Sequence, residues 1–194
     1  VGSAPAYPHG VIDPIEGLAG LAKERGVWMH VDGCLGGFLL PWVKKLGHPI
    51  PPFDLSVDGV CSISADIHKY GFAAKGASTI IYRDADLRRH QFFAWAGWPG
   101  GLYPSPSMTG TRPGGAIAAA WAAMRWFGEE GYLALTKQIM DTSRRLQEGI
   151  RAIPGLKILG AHEYRTLTQL ARALFPAGGA FPLGAADVAL ARRF

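Results

Sequence analysis

Val27-Trp28-Met29-His30-Val31-Asp32 is a short, nearly continuous apolar run that ends on a carboxylate. A run of this length and composition reads as a strand buried on both faces of a parallel sheet. Just upstream, Asp13 suits an N-cap, Pro14 the first helical position and Glu16 the capping-box position. Ile15, Leu18, Ala19, Leu21 and Ala22 then recur at helical spacing, and Gly26 can end the helix. Helix, tight turn and buried strand form the repeating unit of an α/β protein.

Downstream the unit recurs. Residues 35–48 read as helical or irregular, broken by Pro41. Gly59 to Ser64 is a second buried strand, leading into Asp66-Ile67-His68-Lys69. Ala77 to Tyr82 is a third, close enough to the second to pair with it. Segment 90–112, rich in Gly, Pro and Trp, reads as a long ordered loop. Pro113 opens an alanine-rich, closely packed helix through Phe127. After a break at Gly128–Gly131, Leu133, Thr136, Ile139, Met140, Ser143, Leu146 and Ile150 make the stripe of a long amphipathic helix. Pro154-Gly155 ends it, and Leu156 to Leu159 begins another strand. The expected organisation is residues 1–130 in one large domain, 131–160 as a long helix opening a small domain, and 161–194 as an atypical, disordered tail.

The chain has 194 residues, 48% of them hydrophobic and 18% charged, as in globular proteins. No stretch approaches the roughly 18 uninterrupted apolar residues that cross a bilayer. The net charge of +5 is dispersed over short pairs such as Lys44-Lys45, Arg88-Arg89 and Arg144-Arg145. That argues against a nucleic-acid surface, which needs clustered charge. Cys34 and Cys61 have no metal-ligand or disulfide spacing, so no metal is expected and a reducing compartment suits them. Starting at Val1 inside a structured segment, the sequence reads as a fragment, incomplete at both ends.

The chemistry gathers on Asp32 and Lys69, each just past a buried strand, where open parallel sheets bind ligands. Taken singly, Asp32 could cap a following helix and Lys69 could lie on the surface. Together they suit pyridoxal phosphate, whose aldehyde needs a lysine and whose ring nitrogen needs a carboxylate. His30, two residues before Asp32, points to the same side of the strand, and is otherwise a core histidine.

Val31-Asp32-Gly33-Cys34-Leu35-Gly36-Gly37-Phe38 and Ser62-Ile63-Ser64-Ala65-Asp66-Ile67-His68-Lys69-Tyr70-Gly71 resemble the two characteristic segments of the sphingosine-1-phosphate lyase family. The resemblance extends through Pro8-His9-Gly10, Lys75-Gly76, Gly110-Thr111-Arg112-Pro113-Gly114-Gly115 and Phe127-Gly128-Glu129, over residues 1–160. It implies the large domain of a fold-type-I, pyridoxal-phosphate-dependent transferase, a mostly parallel sheet flanked by helices. By resemblance, Lys69 is the cofactor lysine, Asp32 pairs with the ring nitrogen, Cys34 packs on the ring face and His68 contacts the phosphate. Lys75 matches a lysine near the substrate, with an exposed loop charge as the plainer reading. Gly110 and Thr111 match a turn that reaches the cofactor of a second copy, which implies a homodimer. Arg112 supports that turn or binds anions. Trp95 and Trp98 line a lipid-chain channel or simply pack their loop. Ile67 departs from the family, which often carries Thr there. The family's phosphate cup and ring-stacking aromatic precede the region this chain covers, and the segment after residue 160 is unlike the family.

The implied reaction cleaves C2–C3 of a phosphorylated sphingoid long-chain base, giving a fatty aldehyde and phosphoethanolamine. An amino-acid decarboxylase of the same fold would use the same Asp32 and Lys69. A truncated, inactive fragment is the third reading. The resemblance places a eukaryotic full-length parent at the endoplasmic reticulum membrane.

Overall fold

A computed structural model describes residues 1–160 of the chain, so the expected tail at 161–194 lies outside the described residues. A four-stranded sheet, in the order β1-β2-β3-β4, carries the fold. β1 (Gly2–Ser3), β2 (Met29–Asp32) and β3 (Val60–Ala65) are mutually parallel, and β4 (Thr79–Tyr82) pairs antiparallel with β3. The α/β expectation with a mostly parallel sheet therefore holds, and the third strand is the predicted neighbour of the second. α1 (Ile15–Glu24) crosses from β1 to β2 and lays Ile15, Ala19 and Ala22 on Met29, Val31, Val60 and Ile63. Phe53, Val57 and Leu40 complete this core.

Several local expectations need correction. Asp13 does not cap α1; its Oδ2 accepts the Ser3 backbone N–H at 2.7 Å instead, fastening β1 to the start of the helix. Pro14, expected at the first helical position, is the N-cap residue instead, and no side chain caps the helix. Pro41 does not break a helix but sits in the first turn of α2 (Leu40–Lys45), where its missing N–H costs nothing. β2 is buried on one face only: Met29 and Val31 are buried, His30 and Asp32 half-buried, and Val27 and Trp28 exposed. Polar neighbours on β3 occupy the second face, as described below.

Segment 90–112 is more ordered than a loop. After α3 (Ala85–Arg88), β5 (Phe93–Trp95) and β6 (Tyr103–Ser105) pair antiparallel in a small hairpin. The predicted break at Gly128 is real: α4 (Gly114–Arg151) is interrupted there by a left-handed glycine at φ 55°. The alanine-rich first half is not closely packed. Ala120 is buried, whereas Ile117, Trp121 and Trp126 are exposed. No strand forms at 156–159, which is irregular. By contacts the chain divides into Val1–Asp141 and Thr142–Phe194. In the second, side chains of α4 pair along one face, Arg151 with Gln147 and Gln147 with Ser143.

Candidate active site

β2 and β3 are parallel neighbours with Asp32 beside Ser64, so the chain leaves both strands at the same edge of the sheet. The two exits are tied together where the Asp66 N–H donates to the Cys34 carbonyl at 3.2 Å. Gly33, Gly36 and Gly37 make that closeness feasible. A Cβ on Gly36 would fall 2.0 Å from the Ala4 carbonyl oxygen, and one on Gly37 2.4 Å from the Ala65 Cβ. Asp32 is held from both sides: its Oδ1 accepts the Cys34 N–H at 3.0 Å and the Ser64 hydroxyl at 3.5 Å. Hydrogen bonding from the Cys34 thiol outweighs burial and, with the Cys34 N–H, His30 and Lys69, holds Asp32 below the usual carboxylate range.

Lys69 lies in the turn that follows β3. Its Nζ lies 2.9 Å from Asp66 Oδ2, and that carboxylate raises its pKa above the ordinary lysine value, with a smaller push from Asp32. Asp66 also accepts the Ser78 hydroxyl; although burial works against it, Ser78 and Lys69 leave its carboxyl below the usual range. The His68 ring is tied to the segment that leads into β4: Nδ1 donates to the Ala77 carbonyl at 3.2 Å, and Nε2 stands 3.8 Å from Asp66 Oδ2. Cys34 packs its thiol 3.6 Å from Ser64 Oγ.

Asp32, Cys34, His68 and Lys69 are thus brought together at one edge. Lys75 sits exposed on the turn before β4, and Gly110 and Thr111 lie just before α4. Among the described residues no hydrogen bond or ion pair links these three to the Asp32–Lys69 group. Trp95 and Trp98 join Phe93 and Tyr103 around an open pocket on the hairpin, and no member of that group lines it.

Sequence reasoning missed the supports. Tyr132 of α4 is buried, donates its hydroxyl to the Gly71 carbonyl at 2.9 Å and stacks on Trp42 at 5.4 Å. It clamps the loop that carries Lys69, where Phe72 is held at a left-handed φ of 57°. Such backbone persists only when its surroundings over-determine it. Ser62, Ser64, Asp66 and Ser78 also went unassigned; alternation along β3 puts the first two on one face, but only the register sets them opposite His30 and Asp32.

Residues 7–165 match the profile of the pyridoxal-dependent decarboxylase conserved domain. The chain belongs to this family. Over 160 residues it is 59% identical to a sphingosine-1-phosphate lyase of Arabidopsis thaliana, covering 82% of this chain and 29% of that protein. A sphingosine-1-phosphate lyase 1 of Rattus norvegicus is 54% identical over 81% of the chain and 28% of its own length. Among solved structures, sphingosine-1-phosphate lyase of Burkholderia pseudomallei superposes with a TM-score of 0.76 at 56% identity, over 82% of this chain and 36% of that one. A Lactobacillus brevis glutamate decarboxylase shares the fold at a TM-score of 0.67 and 23% identity, over 84% of this chain and 37% of that one. The chain spans under a third of the length of the curated relatives named here.

The residues present fit the cofactor for which this decarboxylase family is named. A carboxylate kept ionised suits a protonated ring nitrogen, and an amine within that carboxylate's field suits an aldehyde. The side-chain-free glycines after Asp32 keep the intervening backbone tight against β3 and β1.

Proposed function

We propose that this chain is the cofactor-bearing part of a carbon–carbon lyase that cleaves phosphorylated sphingoid long-chain bases to a fatty aldehyde and phosphoethanolamine. The observation that carries the site is the parallel register of β2 and β3, with the Asp66 N–H bonded to the Cys34 carbonyl, which sets the Asp32 exit beside the turn that carries Lys69. The substrate class is supported by the likeness to lyases at 54–59% identity, against 38% for a probable L-aspartate decarboxylase of Pyrococcus furiosus.

When bound, pyridoxal phosphate would supply an aldehyde for an amine and a protonated ring as the electron sink for C2–C3 cleavage. Asp32 holds the ring-nitrogen proton, because a carboxylate that stays ionised favours a cationic neighbour. Lys69 carries the cofactor through its amine and must lose its proton to do so. Asp66, already paired with that ammonium, is the residue that holds it until then. His68 would hold the phosphate, Cys34 would pack on the ring and Lys75 would meet the substrate. Gly110 and Thr111 serve the site of a second copy in a homodimer, and a eukaryotic parent works at the endoplasmic reticulum. Residues 1–130 form the cofactor domain and 131–160 lead into a smaller one. Among the described residues no helix is long and apolar enough to cross a membrane.

The test is a spectrum followed by a product assay. Adding pyridoxal phosphate to the protein should give an absorbance band near the visible edge that Lys69→Ala lacks. With a sphingoid base phosphate the products should be aldehyde and phosphoethanolamine. Carbon dioxide from an amino acid, with no aldehyde, would turn the reading to a decarboxylase.

A further inference from the structure

The half-buried face of β2 and β3 carries a chain of side-chain hydrogen bonds that runs toward Asp32. Trp28 Nε1 donates to Ser62 Oγ at 2.9 Å. Ser62 Oγ lies 2.8 Å from His30 Nδ1, and His30 Nε2 lies 3.3 Å from Ser64 Oγ. Ser64 Oγ reaches Asp32 Oδ1 at 3.5 Å. The parallel register sets His30 beside Ser62 and Asp32 beside Ser64, so the four groups alternate between the strands.

One end of this chain has a fixed polarity. An indole N–H can only donate, so Ser62 Oγ accepts from Trp28 and keeps a single proton to give. Ser62 is 1% exposed, and His30 Nδ1 is the acceptor it faces among the described residues. If Nδ1 carried a proton, in the other tautomer or in the imidazolium, the Ser62 proton would be stranded in a buried site, at the cost of an unmade hydrogen bond. Nδ1 therefore accepts, and the ring proton sits on Nε2. Nε2–H then donates to Ser64, whose own proton is directed at the Asp32 carboxylate, an acceptor-only group at the far end. Burial of His30, opposed by Asp32, also lowers its pKa and favours the neutral ring.

We propose that His30 is a positioning residue for Asp32, acting as the neutral Nε2–H tautomer through Ser64, with Trp28 and Ser62 setting its polarity. The chain delivers one donor to the same Oδ1 that the Cys34 N–H holds, so the carboxylate is oriented by groups from two strands. This purpose rests on the reading of Asp32 as the partner of the cofactor ring; the tautomer does not.

The test labels histidine with 15N in the cofactor-free protein and reads the His30 ring nitrogens, assigned by His30→Gln. The expected spectrum shows protonated Nε2 and bare Nδ1 at about pH 7 to 8, above the ordinary histidine pKa. Trp28→Phe should partly release that preference. Pyridoxal phosphate titration then follows the absorbance band. His30→Gln, whose amide can still donate to Ser64, should hold the cofactor nearly as tightly as the wild type. His30→Asn, which is too short, and Ser64→Ala should weaken it about tenfold, the size expected for a lost hydrogen bond to a charged group. A proton on Nδ1, an imidazolium at neutral pH, or equal binding by the Gln and Asn variants would overturn the proposal. A wild type that shows the tautomer but no cofactor band would overturn the lyase reading instead.

Discussion

Cys34 shows how closely the site is coupled at the scale of one residue. Burial first, then hydrogen bonding to Asp32, pushes its thiol up to about 11, with Ser64 acting in the opposite direction. A thiol is nucleophilic only as the thiolate, so at pH 8 Cys34 should be nearly inert. In a Cys61→Ser background, disulfide-exchange labelling should be far slower than for a small-molecule thiol, and should speed up in Asp32→Asn. Fast labelling in the native fold would contradict the buried, hydrogen-bonded thiol. Asp32 and Lys69 are legible from their places at strand ends, and Cys34 only by resemblance to the family. The partners that set their ionisation are not, because Ser64, Asp66 and Ser78 act through hydrogen bonds formed across strands or turns.

At the scale of elements, two supports hold the edge where the site forms. The first is the glycine turn after β2, where Gly36 abuts the Ala4 carbonyl and Gly37 the Ala65 Cβ. Gly37→Ala should destabilise the fold by about 1–3 kcal/mol, the usual cost of overpacking. Urea unfolding measures this, and an unchanged midpoint would mean that β3 can give way. The second is the clamp from α4. Tyr132→Phe keeps the ring stacked on Trp42 but leaves the Gly71 carbonyl without its donor, which should cost about 1–3 kcal/mol. Hydrogen exchange should rise in residues 66–73 more than in β2, since the lost bond belongs to the loop that carries Lys69. Helix periodicity marked Tyr132 only as part of a long helix; its partner lies 61 positions away.

For the whole molecule, the charges of the site tie stability to pH. Asp32 and Asp66 have folded pKa values below their ordinary ones, so their contribution is complete above about 4 and is lost as pH falls through the folded values. Lys69 is raised, so its contribution is complete below about 10.4 and is lost as pH climbs through its folded value. Thermal melts should therefore show a plateau near neutrality with a decline on the acid side, and Asp66→Asn should flatten both that decline and the alkaline one. Equal slopes in the variant and the wild type would mean the ion pair adds nothing. The sequence alone determined the class of this protein: apolar runs closed by Asp32 and a His-Lys turn, linked by a helix of period 3.6, can bury themselves only as a helix-covered, mostly parallel sheet. Periodicity and turn residues are local, so they are legible in one dimension. Tertiary structure decided which face of β2 is polar, which donor holds Asp32, and that Asp66 rather than Asp32 pairs with Lys69. The Asp66–Lys69 pair depends on the path of a turn; the others depend on the register between strands, where a shift of one residue would send His30, Asp32, Ser62 and Ser64 to the opposite face.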